Sequence, residues 1–253
     1  MENAVRNGTF GGDEPEDKKA EAGPILVAID GPAGSGKSSV SHEAAGLLDF
    51  GILDTGAAYR SLAWAALRAG IDLDDEAALL TLLGSWAFDI TLQGGQQVTV
   101  RVPGEDDAIE VTRAIRDPEL SAQVSRVARH PRVRERLNEM FRTIVATSGL
   151  PGVVIEGRDI TTVVAPDAEV RLLLTAAPEV RAQRRAGEIS GSSFEQVLAD
   201  LEARDTKDAA VVDFFNPAPG VQMIDTSDLS FGQSVQAVID VVREAQGAAQ
   251  RGV

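Results

Sequence analysis

The chain has 253 residues, no cysteine, two histidines and a formal net charge of −15. Apolar residues make up 43% and charged residues 25%, enough for the core of one large or two small domains. This composition excludes disulfides and thiolate metal sites, argues against a general nucleic-acid surface, and offers no apolar run near the about 18 residues of a membrane span. The partners to expect are small molecules rather than nucleic acid or membrane. A cysteine-free chain also has the cytoplasm as its default compartment. His42 and His130 do not make a metal cluster.

Residues 1–23 are rich in Gly, Glu, Asp and Lys, lack a secretory apolar segment, and read as a disordered lead-in. The apolar run Ile25 to Ile29 then reads as a buried strand. It leads into Gly31, Pro32, Ala33, Gly34, Ser35, Gly36, Lys37 and Ser38, which match G-x-x-x-x-G-K-[ST] at every fixed position. A helix-compatible stretch follows, Ser39 to Leu48. Strand, glycine loop and helix together predict a phosphate site: glycines admit an anion close to the backbone, and loop amides and the helix N-terminus face it. Lys37 is placed to reach the β- and γ-phosphates of ATP, and Ser38 to ligate Mg²⁺. Residues 31–39 are therefore the expected nucleotide-binding set.

Gly51 to Asp54 reads as a short strand, with Thr55 and Gly56 in the turn after it, and Ala57 to Ala69 has helical spacing. Arg60 lies in the first turn of that helix, where a cation opposes the helix dipole. An external anion as its partner is the favoured reading; a solvated arginine is the alternative. Thr55 and Arg60 would face the same crevice as the glycine loop. Residues 72–130 interrupt the strand–helix alternation: a helix over Asp74 to Leu83, a hairpin of Phe88 to Leu92 and Val98 to Val102, a third strand within Glu105 to Val111, and a helical pattern over Thr112 to Ala128. They read as a small α+β insertion over the cleft. Pro131 to Ala146 is a further helix with Arg132, Arg134, Arg136 and Arg142, of which one or two turn inward.

Gly152 to Glu156 is a buried-strand signature followed by Gly157-Arg158-Asp159, charges at the strand end where ligand chemistry is expected. A local Arg158–Asp159 pair is the alternative. Strand Glu169 to Ala176 precedes a helix over Pro178 to Ala186 with Arg181, Arg184 and Arg185. A break at Gly187 to Ser193 and a helix over Phe194 to Ala203 complete an arginine-bearing lid. Val221 to Asp225 is the last strand, Ser230 to Ala245 the closing helix, and the final GAAQRGV is expected to fray. The fold class is α/β, a P-loop-type parallel sheet of five strands with helices on both faces. In domain terms, 24–71 and 131–247 form the core, 72–130 the insertion, 184–204 the lid and 248–253 a frayed end.

The ordered set IDGPAGSGKSS, LDTGAAYR, HPRVR, VVIEGRDI, APDAEVRLLLTA, RAQRR, ARDTKD and MIDTSDLS resembles the bacterial cytidylate kinases over nearly all of the chain after the lead-in. The resemblance implies a monomeric nucleoside monophosphate kinase that uses ATP and Mg²⁺ to phosphorylate CMP and dCMP, with residues 72–130 binding the monophosphate. It implies that Thr55, Arg60 and Arg158 hold the CMP phosphate, with Tyr59 on the substrate side. Ser125, Arg134 and Asp159 correspond to cytosine-reading positions, and Arg204 and Asp208 to phosphate and ribose contacts. Arg184 and Arg185 correspond to lid arginines at the ATP phosphates, so that Lys37, Arg158, Asp159, Arg184 and Arg185 form the catalytic set. The chain departs from the family pattern at Val211, at Asp213 to Pro217, in a shorter lid loop, and at Thr161, where R-D-x-G-T has glycine. The alternatives are a P-loop kinase of another small acceptor and a nucleotide-binding protein with impaired catalysis.

Overall fold

The computed structural model describes residues 24–188, 193–209 and 216–251. The expected lead-in over 1–23, Val211 and most of the divergent stretch before Pro217 lie outside the described residues, as does the middle of the lid loop. A five-stranded sheet in the order β2-β6-β1-β7-β8 forms the centre. Its strands are β1 (Ile25–Asp30), β2 (Gly51–Asp54), β6 (Gly152–Gly157), β7 (Val170–Thr175) and β8 (Gln222–Asp225). All pair in parallel, as the strand–helix alternation predicts.

Side chains alternate between the two faces of these strands. Val27, Ile29, Ile52, Val154, Leu172 and Leu174 pack on α1 (Lys37–Leu47) and α8 (Phe231–Arg251). Ala28, Leu53, Val153 and Ile155 pack on α2 (Thr55–Arg68) and α5 (Pro131–Ala146), with Leu62, Leu137 and Phe141 fully buried between them. A near-continuous apolar run is what a strand covered on both faces requires. No helix among the described residues is long and apolar enough to cross a membrane.

Between α2 and α5 lie α3 (Glu76–Leu83), a three-stranded antiparallel sheet of β3 (Ala87–Ile90), β4 (Val98–Arg101) and β5 (Ile109–Glu110), a 3-10 turn at Ala114–Arg116, and α4 (Pro118–Ala128). The hairpin expected here is present, but its apolar residues Ile90, Val98 and Val100 join the same core as Leu53 and Leu62. Ile52 N–H donates to Leu92 O at 2.7 Å, which sets the hairpin's tip beside the start of β2. Arg134, in the first turn of α5, reaches the turn after β6, where it pairs with Asp159.

Other boundaries moved for local reasons. The α2 helix begins at Thr55 rather than Ala57 because the Asp54 carboxylate accepts Ala57 N–H at 3.1 Å, an N-cap that draws Thr55 and Gly56 into the helix. Between β6 and β7 a π-helical turn, Ile160–Val164, appears where no element was expected. The closing helix runs to Arg251, through most of the segment expected to fray, because the Ala-Ala-Gln-Arg that follows Gly247 consists of good helix formers. Of the four α5 arginines, Arg134 turns inward, Arg142 is exposed but donates to the Val163 and Val164 carbonyls, and Arg136 pairs with Glu139 on the surface.

Candidate active site

Parallel pairing brings the strand ends into line: Asp30 lies beside Gly157 and Leu173, and Asp54 beside Glu156. The glycine loop leaves β1 at this edge. Gly31 has no room for a side chain, since a Cβ there would sit 2.3 Å from Leu174 O. Gly36 caps α1 at φ 83°, a left-handed conformation that glycine adopts without strain. The backbone of 31–36 and the amino end of α1 thus converge on one point, with exposed Ser38 and Ser39 in the first turn.

Glu156 is the residue that chain-order reading missed. It is 3% exposed, lies 3.5 Å from Lys37 Nζ through Oε2, and accepts the Ser38 hydroxyl at 2.7 Å through Oε1. Its Oε2 has no hydrogen bond among the described residues. Burial raises its pKa; Lys37 opposes the rise, and the nearby Asp54 charge adds to it. In the sequence the signal is an acid closing an otherwise apolar strand, which by itself marks only the strand's end. Ser38 and Glu156 supply two hard oxygen donors side by side, one without a hydrogen bond, and so fit Mg²⁺.

The raised pKa gives a pH prediction. A carboxyl whose pKa rises on folding binds a proton more tightly in the folded state. Its contribution is then full below the ordinary value near 4.5 and is lost as pH climbs toward the raised one. Glu156→Gln does not titrate. The variant's stability advantage over wild type is expected to grow as pH rises from the ordinary value near 4.5 toward the raised one, read from urea midpoints. A difference that stays constant across that range would overturn the assignment.

Arg60, expected to face an external anion, has found an internal partner. Its guanidinium lies 2.7 Å from Asp54 Oδ2, so the helix-capping carboxylate balances the cation at the helix start. Arg60 Nε is buried without a hydrogen bond among the described residues. Thr55 does not keep a hydroxyl free for a ligand: it is 4% exposed and donates to Glu156 O at 2.9 Å. Asp159, two residues beyond Gly157, forms a hydrogen-bonded ion pair with Arg134. Arg134 also hydrogen-bonds the Tyr59 hydroxyl, whose pKa is pushed above its usual range, first by burial and then by the Asp159 charge. Tyr59, Arg134 and Asp159 are thus brought together. Arg158 is half-buried at the same turn, and Ser125 is exposed on α4.

The segment expected to form a lid, 184–204, falls in α6 (Pro178–Glu188) and α7 (Phe194–Ala209), which pack through Ala182, Val197 and Leu201. Arg184 donates to Ser35 O at 3.3 Å and to the Thr226 hydroxyl and carbonyl at 3.0 and 2.7 Å. Instead of projecting over the loop, it fastens α6 to it. Arg185 is exposed on the next position of the helix. Arg181, read only as one of several lid arginines, is 2% exposed and makes the deeper contacts, with Ala33 O and Asp205. The side chains of Arg204 and Asp208 lie outside those described.

The family model for cytidylate kinase matches residues 27–244. A cytidylate kinase of Streptomyces avermitilis is 39% identical over 225 residues, covering 88% of this chain and 95% of the relative. Cytidylate kinases of Cutibacterium acnes and Rhodococcus jostii are each 41% identical, over 87% and 89% of this chain and 96% and 98% of theirs. A family model that spans the sheet and its helices, and relatives about 40% identical over nearly their whole length, show that this chain belongs to the cytidylate kinase family.

Proposed function

We propose that the chain transfers the γ-phosphoryl group of ATP to the α-phosphate of CMP, and of dCMP, yielding the diphosphate and ADP in pyrimidine nucleotide metabolism. The carrying observation is that one strand end serves both halves of the site. Glu156 meets Lys37 and Ser38 of the nucleotide loop, and Asp159, three residues on, meets Arg134 and Tyr59.

The acceptor's second pKa is about 6, so it is largely ionised at neutral pH and needs no general base. The barrier is repulsion between two polyanions. Lys37, Arg60 and Arg158 lower it by facing charge that spreads over the transferring group. When bound, Mg²⁺ would be held by Ser38 and Glu156 and would neutralise phosphate charge. The Arg134–Asp159 pair offers both a donor and an acceptor to a nucleobase edge, with Ser125 assigned to the same task. The α6–α7 hairpin is the lid of this reading, with Arg185 turned to phosphate and water kept out on closure. A monomer in the cytoplasm completes the proposal.

The test is ADP release at fixed ATP with CMP, dCMP, UMP, AMP and shikimate as acceptors. CMP and dCMP are expected to give the highest kcat/KM. Equal rates with AMP or shikimate, or ATP binding without acceptor-dependent ADP release, would overturn it.

A further inference from the structure

We infer that Asp30 is a positioning residue that ties the nucleotide loop to the acceptor turn, with Thr161 as its specific partner. Asp30 closes β1 immediately before Gly31, so its carboxylate stands at the root of the donor loop. It is 3% exposed. Oδ1 accepts Ile160 N–H at 2.8 Å, and Oδ2 accepts Thr161 N–H at 2.9 Å and the Thr161 hydroxyl at 2.6 Å. Ile160 and Thr161 are themselves 1% and 3% exposed. Three donors from adjacent residues on one buried carboxylate fix both the place and the orientation of the chain at that point.

That point directly follows Arg158 and Asp159. The π-helical turn it opens is fastened at its far end as well, because Arg142 donates to Val164 O at 3.0 Å and Val163 O at 3.1 Å. An acid from β1 therefore holds the turn's start, and an arginine from α5 holds its end. Between them the backbone has little freedom, and Asp159 meets Arg134 from a preset position. The burial of Asp30 pushes its carboxyl pKa up while the Thr161 and Ile160 hydrogen bonds pull it back, so these donors are what makes a charge at this place tolerable. Neither residue reaches the crevice. Asp30 and Thr161 act through Asp159 and Arg158, on the acceptor more than on ATP.

The inference rests on CMP being the acceptor, and the assay is arranged to separate the two claims. Wild type, Thr161→Val, Thr161→Ser and Asp30→Asn are compared by steady-state ADP release, with CMP and ATP varied in turn. Thr161→Val removes one hydrogen bond to a charged acceptor and keeps the side-chain shape. It is expected to raise KM for CMP about tenfold while KM for ATP stays within about twofold. Thr161→Ser is expected to restore KM for CMP. Asp30→Asn should raise it further, and in that background Thr161→Val should add little, because the two groups act as one. A merely structural role would reduce kcat or the yield of folded protein without a selective change in KM for CMP. Thr161→Val with KM for CMP within twofold of wild type, or with both KM values raised alike, would overturn the inference while leaving the CMP reading intact. Wild type without CMP-dependent ADP release would overturn both. If Asp30→Asn does not fold, the two Thr161 variants decide the matter alone.

Discussion

Replacing Lys37 with alanine is expected to lower kcat by about 10²-fold or more, the scale on which a donor aimed at developing charge acts in a dry site. Lys37 lies in the first turn of α1, its ammonium 3.5 Å from a carboxylate that is itself almost fully buried. Its amine is thus held in place before any phosphate arrives. The truncation removes that cation, the largest influence that lowers the pKa of Glu156. A buried carboxyl that loses its partner takes up a proton rather than stay ionised. Lys37→Ala should therefore fold, with only a modest change in urea midpoint at neutral pH, and should also need more Mg²⁺ to reach its reduced rate. The measurements are steady-state turnover at saturating ATP and CMP, a Mg²⁺ titration of that rate, and urea unfolding. A kcat within about tenfold of wild type, with the fold intact, would remove Lys37 from phosphoryl transfer.

The elements that position the site were legible because their signals are local. Ile25 to Ile29 and Gly152 to Glu156 are apolar runs that stop abruptly at glycine and charge, and a strand covered on both faces needs no more than that. The glycine loop follows the first of them within two residues. What stayed hidden depends on pairings between distant residues. The Ser38–Glu156 hydrogen bond joins residues 118 apart, and the bonds from Ile160 and Thr161 to Asp30 span 130 and 131 positions. Nothing in the pattern around Glu156 or Asp30 announces such partners. Thr55 shows the converse. Its motif was legible, but its hydroxyl serves Glu156 O, because the start of α2 runs directly along β6. Arg60 had the right oddity attached to it, a cation at a helix start. The answer within the protein was Asp54, a cap that could have been read from an acid followed three residues later by the first fully helical position.

The second large effect falls on the α6–α7 hairpin. Arg181→Ala is expected to cost about 3–5 kcal/mol, because it breaks a buried ion pair and also strips the donors from Ala176 O and Ala33 O. Arg181 uses its whole guanidinium: Nε donates to Ala176 O at 3.0 Å, Nη1 to Ala33 O at 3.0 Å, and Nη2 to Asp205 Oδ2 at 2.6 Å. It ties the end of β7, the nucleotide loop and α7 together at one point. Asp205 is 7% exposed, and its Oδ1 already lacks a hydrogen bond among the described residues, so it has no reserve partner. The apolar support is slight, a small cluster of Ala182, Val197 and Leu201 apart from the main core. The loss should therefore appear as local opening of α7 rather than global unfolding. Hydrogen exchange of α7 amides is expected to speed up by about 10²-fold or more, with β1 and β6 amides unchanged, and KM for ATP should rise as Ala33 loses its tether. Uniform acceleration across the sheet would instead make the lid helices part of the global folding unit. The double variant Arg181→Met with Asp205→Leu separates the two roles of the arginine. Two apolar side chains of similar volume should recover most of the α7 protection, because a buried pair adds little over a hydrophobic replacement. They cannot restore the donor to Ala33, so KM for ATP should stay high. Recovery of both would mean that packing alone places the nucleotide loop.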